Sequence, residues 1–264
     1  MDLSQVSRTA ILLLICRALV AKKHTTDFDD PMAVLCLDRL RSLATGEDKR
    51  WIDREVKIYT GIGAHDASSG VRRLRKFDAI ANRFIADHPG CTVINLACGF
   101  DTRFWRIENK KCRYLEIDLP EVIQLKREIF KDQTGYEMIG CSVLDTSWID
   151  QVTKKGNSNY LLIAEGLFMW FPEQEVKRVF KEISARFSRS QMVLDMVPES
   201  YTRGLMKFFM RLDTRITWGL DDVAWAYGIK NPQDLETFGN GLKVIGLEKG
   251  SAGPIITISI NNAR

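Results

Sequence analysis

Glycine-rich phosphate loops, paired metal-binding cysteines and histidine clusters are all missing from this 264-residue chain. Its most regular strand candidate, residues 92–96, runs into Ala97-Cys-Gly-Phe-Asp101, where a pyrophosphate site would need a GxGxxG turn. That excludes the ordinary dinucleotide cradle, and Asp101 would repel a phosphate there. The six cysteines, at 16, 36, 91, 98, 112 and 141, form no CxxC pair, which removes the zinc-site pattern. Several lie inside apolar runs, as buried reduced thiols do, and this points to a cytoplasmic setting. Only three histidines occur, so groups that titrate near neutrality are scarce. No charge of one sign dominates: the formal net charge is +4, and acids interrupt the basic clusters. Without a basic stripe carrying interleaved aromatics, nucleic acid is not an expected partner. The apolar run at residues 10–16 breaks at Arg17, well short of the roughly 20 residues a membrane span needs. It lacks a small-residue cleavage site and reads as a core helix, with no membrane partner expected. There is no internal repeat and no low-complexity tract, and the length fits one enlarged domain.

What is present is a strand–turn–strand unit. Thr92 to Leu96 is short, apolar and β-branched, as in a parallel strand covered on both faces. Ala97, Cys98 and Gly99 let backbone approach a ligand closely where that strand ends. The next strand candidate ends on Asp118, which follows Gly99 by 19 residues. In nucleotide-binding α/β units an acid about 20 residues beyond the turn accepts hydrogen bonds from ribose hydroxyls. The unit therefore predicts an adenosine-containing cofactor without a pyrophosphate. A methionine-type cofactor, carrying an ammonium and a sulfonium, tolerates Asp101 at the turn. The alternative on this segment alone is a sheet protein with a tight turn and no ligand.

The same residues resemble the leucine carboxyl methyltransferase family, which includes bacterial polyketide-type O-methyltransferases. That family reads LGAGxDTRxxR, then an acid-x-Asp-x-Pro segment, then a strand ending Glu-Gly. Here Leu96-Ala-Cys-Gly-Phe-Asp-Thr-Arg-Phe-Trp-Arg106, Glu116-Ile-Asp-Leu-Pro120 and Leu161-Leu-Ile-Ala-Glu-Gly-Leu-Phe-Met-Trp-Phe-Pro172 agree in order and spacing. The resemblance extends from Ser7-Arg-Thr-Ala10 through Trp218-Gly-Leu-Asp-Asp222, most of the chain. It implies an α/β fold: a class I methyltransferase Rossmann-like sheet with helices on both faces, an N-terminal helical segment and a helical cap insertion. It also implies S-adenosyl-L-methionine as cofactor. By position, Ala97, Cys98 and Gly99 support its methionine part, and Asp118, with Leu119 beside it, takes the ribose. Ser142 and Val143 stand where many members hold adenine with Asp-Leu, and Glu165 ends the fourth strand beside the cofactor. Arg73, five residues before Asp78, is placed on the cofactor carboxylate, which a guanidinium grips bidentately. Arg17 is expected as a second contact. Two positions depart from the family: Ala97 replaces its usual first glycine, and Ser142 offers adenine a hydrogen bond without charge assistance. Cys98 reads as a small turn residue, since methyl transfer in this family needs no covalent intermediate.

Helices are expected at residues 7–22, 31–37, 50–60, 72–87, 120–131, 172–187 and 201–216, with residues 61–70 as a flexible connection. Strands are expected at 92–96, 113–117, 137–141, 160–164, 191–196 and 254–260. One methyltransferase domain thus divides into a helical part (1–88), a cofactor-binding core (91–197), a cap insertion (198–230) and a C-terminal return to the core (231–264). A carboxylate acceptor needs no general base, whereas an aliphatic hydroxyl does. The scarcity of bases leans the reading toward a small, polyketide-like acid, gripped by Arg203, Arg211 or Arg215 of the cap. Phe208, Phe209, Trp218 and Trp225 would line its apolar pocket. His65 is the candidate base for a hydroxyl acceptor, while His24 and His88 read as helix-end and turn residues. Methylation of a protein C-terminal carboxylate and a non-catalytic cofactor-binding protein are the alternatives. Oligomeric state is left open.

Overall fold

The computed structural model describes residues 5–23, 28–61, 64–154, 159–209, 211 and 225–261. Four helices precede the first strand: α1 (Gln5–Lys22), α2 (Pro31–Leu43), α3 (Gly46–Thr60) and α4 (Ala64–Asp87). Most of α1 between Ile11 and Ala21 is buried, as a helix apolar on nearly every side must be. Asp30 caps α2, its Oδ1 accepting from the Ala33 amide at 2.9 Å, and Pro31 fills the first helical position. The expected flexible connection at 61–70 needs correcting, because α4 begins at Ala64. Ala67 and Val71 are buried among the N-terminal helices. That packing outweighs the weak helix propensity of Ser68, Ser69 and Gly70.

The rest of the chain alternates: β1 (Thr92–Leu96), β2 (Arg113–Asp118), α5 (Pro120–Phe130), β3 (Glu137–Gly140), α6 (Ser147–Thr153), β4 (Tyr160–Ala164), α7 (Glu173–Arg186), β5 (Ser190–Asp195), β6 (Leu242–Lys249) and β7 (Pro254–Ile260). The seven strands form one sheet in the order β3-β2-β1-β4-β5-β7-β6. β1 to β5 run parallel, and β7 is antiparallel to both of its neighbours. β1, β4 and β7 lie where the sequence places them. β6 was not anticipated: exposed residues alternate with buried or half-buried ones, and a register shift between Val244 and Gly246 marks a bulge, as on an edge strand.

Period-two alternation covers both faces of the sheet. Ile94, Leu96, Leu162 and Leu194 pack with Trp148 and Ile149 of α6 and with Val179, Phe180 and Ile183 of α7. Val93, Leu161, Ile163 and Val193 pack instead with Phe77, Ala81 and Phe84 of α4. Strand order reverses between β1 and β4. The crevice outside their carboxyl ends is therefore the topological switch point, where open α/β sheets bind ligands.

Beyond β5, the expected helix at 201–216 begins later among the described residues, which are helical at 204–209 and at 211. A 3-10 turn covers Glu199–Thr202. Phe208 and Phe209 are 61% and 51% exposed. Trp225 packs on Trp170 and stacks on Tyr201. Arg203 lies at the surface, 2.8 Å from Glu199, and Arg211 is exposed. Arg215 and Trp218 lie outside the described residues.

Candidate active site

β1 ends in a turn that enters the left-handed region twice, at Ala97 (φ 49°) and Gly99 (φ 49°). A Cβ on Gly99 would stand 2.9 Å from the Ala10 Cβ, so this glycine also admits α1 against the turn. Ala97 has no such freedom, and an L-residue in this conformation costs about 1–2 kcal/mol. Ala97→Gly is expected to stabilise the fold by roughly 0.5–1 kcal/mol, because glycine's freedom in the unfolded chain returns only part of that strain. Equilibrium denaturation checks it; a lower midpoint in the variant would show that the methyl's packing outweighs the strain.

The turn is tied to the end of β2. The Gly99 amide donates to Asp118 Oδ2 at 2.6 Å, and the Leu119 amide donates to Oδ1 at 2.7 Å. A carboxylate oxygen accepts more than one hydrogen, so both keep capacity for the two hydroxyls of a ribose. Burial pushes the Asp118 carboxyl up, and the two backbone amides oppose that shift. The Cys141 amide donates to the Asp118 carbonyl at 2.8 Å, which brings Ser142 and buried Val143 alongside. The Ser142 hydroxyl accepts from the Leu144 amide at 3.2 Å. Burial pushes the Cys98 thiol well above its usual range, which suits a turn residue and not a nucleophile.

Charge fills the crevice on the β4 and β5 side. Arg73 reaches down from α4, with Nε at 3.2 Å and Nη2 at 3.0 Å from Glu165 Oε1. Its Nη1 donates to Asp195 Oδ2 at 3.1 Å, while Asp195 Oδ1 accepts from the Gly166 amide at 2.6 Å. Gly166 has φ 65°, which explains the glycine after Glu165. Glu165 Oε2 accepts from Arg103 at 2.6 Å, and fully buried Arg103 also donates to Asp78 and Asp101, each at 2.7 Å. Arg106 continues the chain to Asp78 at 2.8 Å, Asp30 at 2.7 Å and Asp101 at 3.1 Å. Arg17 of α1 donates to the Phe100 carbonyl at 2.7 Å. Burial alone would raise the Asp101 carboxyl, but Arg103 and Arg106 hold it well below the usual range. Burial likewise opposes charge on Arg73, and Asp195 and Glu165 outweigh it.

Beneath the turn, Lys126 of α5 pairs with Glu116 at 2.8 Å, both fully buried, and donates to the Asp101 carbonyl at 2.6 Å. Sequence reasoning singled out Arg17, Arg73, Asp118 and Glu165, and the structure brings them to one edge. It missed Asp195 and the Lys126–Glu116 pair. Asp195 had a signal, an acid closing a buried strand just as Glu165 follows β4; Glu116 stands in the acid-x-Asp-x-Pro segment, but its partner Lys126 on α5 had no signal. His65 lies in the first turn of α4, and its side chain is outside the described residues. His24 is also outside them. His88 stacks on Phe84, with Nδ1 at 3.1 Å from the Phe84 carbonyl, as a helix-end residue. The described residues hold no cluster of potential metal ligands and no helix long and apolar enough to cross a membrane.

S-adenosylmethionine fits this donor set: Asp118 suits its ribose, Arg73 has N–H groups beyond those its acids accept, and the surrounding carboxylates favour its positive charges. Fold and site together define a class I methyltransferase-like α/β protein. The chain belongs to the leucine carboxyl methyltransferase family, whose sequence pattern matches residues 10–184. It is 32% identical over 173 residues to the tetracenomycin polyketide synthesis O-methyltransferase TcmP of Streptomyces glaucescens, covering 65% of this chain and 60% of that protein. This chain thus spans about three fifths of TcmP's length. It is 24% identical over 257 residues to the S-adenosyl-L-methionine-dependent methyltransferase dpfgK of Gibberella zeae, covering 91% and 81%. An O-methyltransferase family protein from Burkholderia thailandensis superposes with a TM-score of 0.52 at 15% identity, covering 86% of this chain and 67% of the other. That last likeness is one of fold alone.

Proposed function

We propose that this protein transfers the methyl group of S-adenosylmethionine to an oxygen of a small metabolite, the acceptor being the carboxylate of a polyketide-like acid. Asp118 would take the ribose diol, its carboxylate held by the Gly99 and Leu119 amides. Ala97, Cys98 and Gly99 would back the methionine part, and Ser142 and Val143 would meet the adenine. Arg73, steadied by Glu165, would grip the amino-acid carboxylate, with Arg17 holding the turn beside it. Residues 198–230 would cover the acceptor. The cofactor supplies a methyl group on a positively charged sulfur. As the acceptor oxygen bonds to that carbon, the carbon–sulfur pair stays on sulfur, so water exclusion and alignment are the protein's main contributions.

One observation carries the carboxylate preference. Asp118, Glu165 and Asp195, the acids at the strand ends, are all engaged by backbone amides or arginines. That leaves no unpartnered base at this edge among the described residues, and a carboxylate acceptor is already ionised at pH 7. The relative TcmP, named for O-methylation in polyketide synthesis, supports an oxygen acceptor. Single-turnover methyl transfer to a panel of acids should stay nearly flat from about pH 6 to 8. A rise through a pKa near about 6.5 that disappears in His65→Ala would instead assign a hydroxyl acceptor with a histidine base.

A further inference from the structure

Asp195 ends β5, is buried, and holds two groups at once: the Gly166 amide on Oδ1 at 2.6 Å and Arg73 Nη1 on Oδ2 at 3.1 Å. The other side of the Arg73 guanidinium, Nε and Nη2, meets Glu165 Oε1. Two acids therefore grip this guanidinium from two directions and fix its plane. Glu165 is poorly placed to do this alone, because its second oxygen is committed to Arg103 at 2.6 Å. A guanidinium has five N–H donors, so these contacts leave a hydrogen on each of Nη1 and Nη2, the pair a carboxylate accepts side by side.

We propose that Asp195 is a positioning residue for the cofactor: by holding Arg73 Nη1 and the Gly166 amide together, it aims the remaining fork of Arg73 at the cofactor's amino-acid carboxylate. This rests on the role given to Arg73 above. Replacing the carboxylate by an amide leaves one acceptor oxygen and turns an NH2 toward the other group, so the Gly166 amide and Arg73 Nη1 are no longer both held and Nη1 is free to turn. The loss then falls on the carboxylate contact and not on the nucleoside, which Asp118 holds separately.

The test is calorimetric titration with S-adenosylhomocysteine and with 5′-methylthioadenosine, which keeps the nucleoside and thioether but lacks the amino-acid part. Asp195→Asn should bind S-adenosylhomocysteine about tenfold more weakly or worse, and 5′-methylthioadenosine within about twofold of the unaltered protein. In an Arg73→Lys background the same change should add little, because the two residues act through one contact. If Asp195→Asn weakens both ligands alike, or neither, the positioning role is wrong. Arg73→Lys separates the two ideas: if it also leaves the ratio of the two affinities unchanged, the Arg73 assignment has failed. If it lowers that ratio while Asp195→Asn does not, only the role of Asp195 has failed. Should the Asn variant not fold, Asp195→Ser, which retains an oxygen for the Gly166 amide, is read by the same ratio.

Discussion

Arg103→Met is expected to lower the unfolding free energy by about 3–5 kcal/mol, the cost of leaving buried charges without their partner. The side chain is fully buried and donates to Asp78, Asp101 and Glu165 between 2.6 and 2.7 Å. Methionine fills much of the volume but offers nothing to three carboxylates, and Arg106 and Arg73 already serve other oxygens of the same acids. Lysine should fail nearly as badly, since one ammonium does not span three acceptors set around a planar fork. Urea denaturation followed by circular dichroism measures the loss; a change under about 1 kcal/mol would show that the network is solvated and weak. Acid unfolding gives a second reading. Asp101 is held below its usual range, so its stabilisation is present above the unfolded carboxyl value and lost as pH falls through the folded one. Without Arg103 the folded value rises, and the acid limb should move to higher pH.

That network was partly legible in the sequence. Asp101, Arg103 and Arg106 belong to the motif that carries the family resemblance, yet the motif does not say which acids the arginines meet. Asp78 and Glu165 lie 25 and 62 residues from Arg103, and such pairings are set by how α4 and β4 pack around the turn. Strands β1, β4 and β7 were readable because each is a run of five to seven mostly apolar or β-branched residues, too short for a helix. β6 was not, because every second residue faces water and two of those exposed residues are the apolar Ile245 and Leu247. The Ser68-Ser69-Gly70 stretch misled in the opposite sense: composition favours a loop, but burial of Ala67 and Val71 imposes a helix. Of the residues proposed for the cofactor, Asp118 is the most legible, since its distance in sequence from Gly99 and its place at a strand end follow from the α/β unit itself. Residues 198–230, expected as a cap, are the least legible, because aromatic and basic residues at helical spacing read alike whether they face a ligand, the core or solvent.

Asp118→Ala is expected to weaken S-adenosylmethionine and S-adenosylhomocysteine to the same degree, by about 1.5–3 kcal/mol, the range for hydrogen bonds to a charged group. Both ligands present the same ribose diol and differ only at sulfur. The carboxylate also ties the Gly99 and Leu119 amides to β2, so alanine loosens the turn as well as removing the acceptor. Asp118→Asn refines the reading: it can still accept through its amide oxygen, and its loss should be smaller than that of alanine. Cofactor binding at the β1–β4 switch point is the premise on which every other assignment stands. Calorimetric titration of S-adenosylhomocysteine into the unaltered protein and Asp118→Ala tests it most directly. Saturable one-to-one binding that weakens by about tenfold or more in the variant is the expected result. An unaltered protein that does not bind, or an affinity that the substitution leaves unchanged, would contradict it.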